Sequence, residues 1–187
     1  MTEQDYWDKA AEDPEVATKY ISDVDLDECL SAFAEKLLAG SILEIGCGIG
    51  RLTTAMAERA VACQLHGIDI SSKMLDLTPK STVKYKLCDG KTIPYPNESF
   101  ESIYSMLTFQ HVDNETMHSY IDEAYRTLKD NGVFRFQFVE GDHDNLVDHG
   151  HSVDDVRHWL QDAGFSIVTI DRGLVHPQWI WITGAKI

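Results

Sequence analysis

The chain has 187 residues, 43% of them hydrophobic and 10% aromatic, enough for one domain that buries roughly 70% of its unfolded surface without disulfide or metal staples. Sixteen Lys and Arg against thirty-one Asp and Glu give a formal charge of -15, which repels phosphate backbones and makes DNA or RNA a poor partner. No run is apolar for the ~18 residues of a membrane span, and the start MTEQDYWDKAAEDPE lacks the basic and apolar segments of a secretory signal, so a cytoplasmic location without membrane association is expected.

Residues 1–40 read as an N-terminal helical appendage. Within it Leu26, Leu30, Phe33 and Leu37 recur at helical spacing, and Gly40 offers a left-handed helix end. From 41 onward the pattern is that of one domain. The apolar run Ile42 to Ile45 reads as a strand, the glycines after it as a tight turn, and Arg51 to Arg59 as a helix with Leu52, Ala55 and Met56 on one face. Cys63 to Ile70 reads as a second strand, followed by a short helix around Met74. Thr82 to Leu87 and Phe100 to Leu107 read as the third and fourth strands.

Asn114 is the expected cap of a helix with Met117, Ile121, Ala124 and Leu128 inside, ended by Asn131-Gly132 before a strand from Val133 to Val139. Ser152 and Asp155 form a capping box for a last helix that Gly164 stops. Two strands, Phe165 to Asp171 and Trp179 to Ile187, close the chain through a turn at His176-Pro177. Five strands alternating with helices predict an α/β fold: a mostly parallel sheet covered on both faces, with an antiparallel strand added by the final hairpin. Such sheets bind ligands beyond the carboxyl ends of their strands.

The run Glu44-Ile-Gly46-Cys47-Gly48-Ile-Gly50 falls at that edge, between the first strand and its helix. Glycine lets backbone turn sharply and approach a ligand closely. Asp69 closes the second strand, where a carboxylate can accept both hydroxyls of a ribose. A dinucleotide fingerprint, G-x-G-x-x-G, needs a third glycine at position 51, which holds Arg51.

On these residues the sequence resembles the class I S-adenosylmethionine-dependent methyltransferases, whose first motif is an acid followed by G-x-G-x-G. Cys88-Asp89-Gly90 resembles the family's third-strand end, the run from Phe100 to Leu107 its fourth strand, and the run from Leu128 to Phe134 the helix-turn-strand that comes after. The resemblance covers about residues 40 to 187. It implies a Rossmann-like three-layer sandwich around a seven-stranded sheet, S-adenosyl-L-methionine as cofactor, and transfer of its methyl group to an acceptor.

In that reading backbone N–H groups of the glycine turn meet the methionine carboxylate, Glu44 helps hold its ammonium group, and Asp69 holds the ribose. Ile70 and Met74 flank the adenine, while Asp89 and the N–H of Gly90 meet its edge. Cys47, Cys88 and Met106 complete the expected cofactor seat. Methyl transfer is mainly a matter of alignment. A general base, where the acceptor holds a proton, is expected past the fourth or fifth strand: His111 first, then Glu140 or His143.

The stretch from Glu140 to His151 carries Asp142, Asp144, His149 and His151 but no helical i, i+4 ligand pair, so no metal site is assigned. Cys29, Cys47, Cys63 and Cys88 form no close pair and read as reduced thiols. Ten acids against two lysines in residues 1–30, and six acids with no Lys or Arg in 140–155, predict a negative entrance suited to a small cationic or neutral acceptor. Tyr6, Trp7 and Tyr20 of the appendage are placed to close over the cofactor. Open alternatives are a protein or nucleic-acid methyltransferase, aminopropyl transfer or nicotinamide chemistry on the same scaffold, and a cofactor-binding module without catalysis. Oligomeric state is not legible.

Overall fold

A computed structural model describes residues 2–13, 26–34, 36–60, 62–141, 144–145 and 148–187. A seven-stranded sheet organises them. Its strands are β1 (Ser41–Ile45), β2 (Gln64–Asp69), β3 (Lys84–Leu87), β4 (Phe100–Ser105), β5 (Leu128–Val139), β8 (Phe165–Arg172) and β9 (Trp179–Lys186), and a separate two-stranded ribbon pairs β6 (Asp144–Asn145) with β7 (Asp148–His149). The order across the sheet is β3-β2-β1-β4-β5-β9-β8. The pairings from β3 to β5 are parallel, and β9 runs antiparallel to both its neighbours. The expected α/β fold with an antiparallel strand from the final hairpin is borne out.

Both faces are covered because both faces of the central strands are apolar. On one face Leu43, Ile45, Ile103, Phe134, Phe136 and Phe138 pack with Met117 and Ile121 of α5 (Asn114–Thr127) and with Val156 and Leu160 of α6 (Val153–Ala163). On the other, Ile42, Leu65, Tyr104 and Trp181 pack with Cys29 and Leu30 of α2 (Leu26–Ala34) and with Leu52 and Met56 of α3 (Arg51–Arg59). Each such fully buried side chain contributes about 1.5–3 kcal/mol. Two polar residues of β5, Arg135 and Gln137, are wholly buried within this apolar setting.

The structure corrects several boundaries. The appendage carries a helix that its sequence pattern did not announce, α1 (Glu3–Ala11), capped reciprocally by Thr2 and Asp5. The next helix stops at Ala34, so Gly40 does not end it. Gly40 instead has φ +130 beside the Glu101 carboxyl, where a Cβ would lie 2.6 Å away. The cap of α5 is Asp113, whose carboxylate accepts the Thr116 N–H, and the helix ends at Thr127. Asn131, with φ +64, lies inside β5 where the register to β4 shifts, rather than at a helix end. Ser152 caps α6 by accepting the Asp155 N–H, one half of the expected capping box, and Gly164 stops the helix as expected.

Candidate active site

The turn after β1 is held in left-handed backbone at three glycines, Gly46 (φ +71), Gly48 (φ +52) and Gly50 (φ +74), a conformation costing other residues roughly 1–2 kcal/mol each. Their reasons differ. A Cβ at Gly46 would meet Thr108 Oγ1 at 2.1 Å and one at Gly50 the Tyr85 hydroxyl at 2.3 Å, whereas one at Gly48 would meet nothing within 4 Å. Packing therefore requires the outer two, while nothing within 4 Å crowds the middle one. The N–H groups of Gly46 and Cys47 donate to the Ile68 carbonyl, at 2.8 and 3.0 Å, which locks the bend to β2.

The end of β2 answers that bend. Asp69 Oδ2 accepts the Gly48 N–H at 2.7 Å and Oδ1 accepts the Ser71 N–H at 2.9 Å. Burial pushes its carboxyl above the ordinary range against these bonds, and nearby Asp8 adds to the rise. Glu44 is buried beside it. One of its oxygens accepts the hydroxyls of Thr53 and, at 2.9 Å, of Tyr104, whose Cα pairs with that of Glu44 across the β1–β4 ladder. Desolvation pushes Glu44 to about 7, with the charge of Asp69 contributing to the rise.

A cavity of about 190 Å³ opens at this edge. Of the sequence-predicted residues, Glu44, Gly46, Cys47, Asp69, Ile70 and Met74 line it, as do Gly90, Met106 and His111. Gly90 has φ +84, and a Cβ there would lie 2.9 Å from Ile70 Cδ1, so glycine lets the third-strand end close on Ile70. Gly48, Gly50, Cys88 and Asp89 stand outside the lining. Asp89 is exposed, and its oxygens accept the N–H groups of Lys91 and Thr92 and the Thr92 hydroxyl, which lowers its pKa and shapes the turn after β3. Cys88 lies behind the wall, with Sγ 3.5 Å from the Tyr120 hydroxyl, and burial raises its thiol. Cys47 is raised further by burial and by the two acids, and so stays a neutral thiol.

Helix α1, whose bounds the residue pattern did not give, carries the Trp7 expected over the cofactor and adds Glu3, which was not expected there. It packs on α4 (Ser72–Asp76) through Ala10, Ala11 and Met74, and Ser71 donates its hydroxyl to Asp8 at 2.5 Å. Trp7 lines the cavity with its ring centroid 5.1 Å from that of His111, and Glu3, raised by burial, lines it too. Tyr6 stacks edge-on against Trp7, and Tyr20 lies outside the described residues. The Thr2–Asp5 capping pair was the signal for this helix.

The other candidate bases separate. His111 ends a 3₁₀ turn at Phe109–His111 directly on the cavity. Glu140 is exposed and ion-paired with Arg172, which lowers its pKa. His143 and Asp142 lie outside the described residues, as does the side chain of Asp144. His151 is buried with one ring nitrogen 2.7 Å from the Phe109 carbonyl oxygen and the other 2.7 Å from Asn114 Oδ1, a bracket joining the loop after β5 to the 3₁₀ turn. His149 is buried close enough to Glu3 and Asp113 to act on their charge. Among the described residues no three His, Cys, Asp or Glu side chains cluster as a metal site, and no helix is long and apolar enough to cross a membrane.

A family model described as a methyltransferase domain matches residues 42–132. The chain is 28% identical over 98 residues to a ubiquinone/menaquinone biosynthesis C-methyltransferase of Desulfotalea psychrophila, covering 50% of this chain and 39% of that protein. It is 33% identical over 100 residues to phosphoethanolamine N-methyltransferase 2 of Caenorhabditis elegans, covering 49% and 22%. The chain thus spans well under two thirds of either relative. Its fold matches an S-adenosylmethionine-dependent methyltransferase structure from Mesorhizobium loti with TM-score 0.73 at 19% identity, over 87% of this chain and 100% of the other.

Proposed function

We infer that this chain is a class I S-adenosylmethionine-dependent methyltransferase, as the methyltransferase-domain match over residues 42–132 supports, and that it binds S-adenosyl-L-methionine in the cavity at the carboxyl ends of β1, β2 and β4 and methylates a small molecule. The observation that carries this reading is the convergence on one cavity of the Gly46 bend, Glu44, Asp69 and the Ile70–Gly90 contact. The open space over Gly48 fits a ligand that must come close to backbone. When bound, the cofactor supplies a methyl group on a sulfonium, an excellent leaving group.

The residues of the chain would do the rest. Asp69 is held by two backbone N–H groups, and each of its oxygens keeps a lone pair for a ribose hydroxyl. Glu44 offers a carboxylate to an ammonium group once it ionises. Ile70 and Met74 give apolar faces for an adenine, and the Gly90 N–H and Asp89 stand at the strand end for its polar edge. Gly50, Cys47, Cys88 and Met106 shape the seat around them. Trp7, in the cavity wall, would exclude water and offer its ring to a cation. Residues 1–40 would act as a partial lid on the domain 41–187.

A small acceptor fits the acids of the opening, Glu3 among them, and the formal charge of -15 speaks against nucleic acid. Both curated relatives are named for reactions on small molecules, and a cytoplasmic setting suits such work. Calorimetry with the cofactor and with S-adenosylhomocysteine is the first test, and detection of S-adenosylhomocysteine released with a panel of amine and hydroxyl acceptors the second. Absence of association with either ligand overturns the reading.

A further inference from the structure

We propose that Gln137 and Gln110 are positioning residues that fix His111 as the tautomer with its proton on Nδ1 and its lone pair on Nε2. The inference rests on the reading of this cavity as an active site only for its importance to chemistry. Its geometry stands alone. The chain of donors begins at the Leu107 N–H, which can only donate. Leu107 has φ +59, a conformation a branched apolar side chain rarely adopts, and there its N–H reaches Gln137 Oε1 at 2.9 Å.

The backbone donor sets the direction of every later bond. With Gln137 Oε1 accepting, its amide nitrogen is the donor, and it reaches Gln110 Oε1 at 3.1 Å. Gln110 Oε1 therefore accepts, and the Gln110 amide nitrogen must donate. It lies 3.2 Å from His111 Nε2, which can only be accepting. Reversing either amide would set donor against donor in a place where Gln137 is wholly buried on β5, and an unsatisfied buried donor costs far more than a surface one. The amide orientations and the tautomer are thus derived from a backbone group, the one member of the chain whose role is not open to assignment.

A neutral imidazole takes a proton through its lone pair. In His111 that lone pair faces Gln110, so His111 acts as a base only by releasing the Gln110 amide. Protonation at Nε2 would set two N–H groups against each other.

The test reads the ring directly. Long-range proton–nitrogen spectra of the uniformly nitrogen-15-labelled full chain, taken without ligand at about pH 8 where imidazole is neutral, assign His111 by the signals that His111→Ala removes. The expected result is an unprotonated Nε2 and a protonated Nδ1. Gln110→Glu places an acceptor-only carboxylate at Nε2 and is expected to move the proton there. Gln137→Glu does so by a different route, since it cannot donate to Gln110 and reverses that amide. The remaining histidine signals report that each variant is folded; if Gln137→Glu is not, the half-buried Gln110 position decides alone. A wild-type ring protonated at Nε2, an even mixture of tautomers, or a folded Gln110→Glu that keeps its proton on Nδ1 overturns the proposal. Lack of methyl transfer leaves the spectra unaffected, and a failed tautomer prediction leaves cofactor binding standing.

Discussion

Replacing Glu44 by Gln should make the protein more stable and its proposed cofactor site worse, and the pH dependence of both arises from one buried carboxyl. Glu44 holds its proton up to about 7 in the fold, against an ordinary 4.5. Between those values the folded state binds more protons than the unfolded one, so stability present below about pH 4.5 is lost as pH climbs to about 7. The difference amounts to on the order of 3 kcal/mol. Glutamine keeps an oxygen for Thr53 and Tyr104 but carries no charge, so Glu44→Gln should lose this dependence and gain up to that amount above pH 7, roughly 6–12 °C in a chain of this length. Ligand affinity should move the other way. An ammonium group binds the ionised carboxylate, so wild-type affinity for S-adenosylhomocysteine should rise about tenfold per pH step toward 7 and then level, while Glu44→Gln stays flat and weaker. Melting curves and calorimetry from pH 5.5 to 8.5 check both. A variant no more stable than wild type at pH 8, together with wild-type affinity independent of pH, refutes the reasoning.

The glycines of the turn should divide by what a methyl group meets. Both Gly48→Ala and Gly50→Ala incur the left-handed backbone cost of about 1–2 kcal/mol, roughly 2–8 °C, but Gly50→Ala also presses its Cβ on the Tyr85 hydroxyl and should melt clearly lower than Gly48→Ala, which should fold but bind S-adenosylhomocysteine poorly; equal melting losses would contradict this. Asp69→Asn keeps one acceptor for the Gly48 or Ser71 N–H and loses the charge, so affinity should fall about 10- to 100-fold, equivalent to about 1.4–2.8 kcal/mol, as read by titration calorimetry. Trp7→Ala should weaken the same binding about tenfold, with little change in melting temperature because α1 rests on a small contact; unchanged affinity would show that α1 is only a neighbour of the site.

Most of the sheet was legible because its strands are apolar runs bounded by glycine and acid, and the helix over Arg51–Arg59 comes directly after the turn. What escaped has physical reasons. Asn131-Gly132 looks like a helix end because Asn tolerates left-handed backbone, yet a strand irregularity asks for the same conformation, and here that need placed it within β5. Helix α1 hid in a polar stretch with only two buried alanines, its stability coming from the Thr2–Asp5 cap and from contact with α4. Gln137 was illegible as part of the site: its place in a strand alternating with Phe134, Phe136 and Phe138 gives no sign that it meets the Leu107 N–H and Gln110, which come from the loop after β4. Glu44, Asp69, Ile70 and Gly90, at or just past strand ends, and Met74, on the short helix after β2, could be named as lining residues because their placement depends on local order alone.

The acids of the site gain their meaning from being where acids are costly. Glu44 and Asp69 end or nearly end adjacent parallel strands, each raises or feels the charge of another carboxyl, and Asp8 and Glu3 arrive from α1 to the same edge. Packing alone would favour apolar side chains at such positions, since buried like charges oppose folding. Backbone N–H groups of the glycine bend and the hydroxyls of Thr53 and Tyr104 offset part of that cost without adding positive charge. A set of carboxyls held in place by neutral donors is left complementary to a ligand bearing cations, and a sulfonium with an ammonium group is such a ligand. In the proposed complex the glycine bend would match that ligand's shape, and the buried acids would complement its charge.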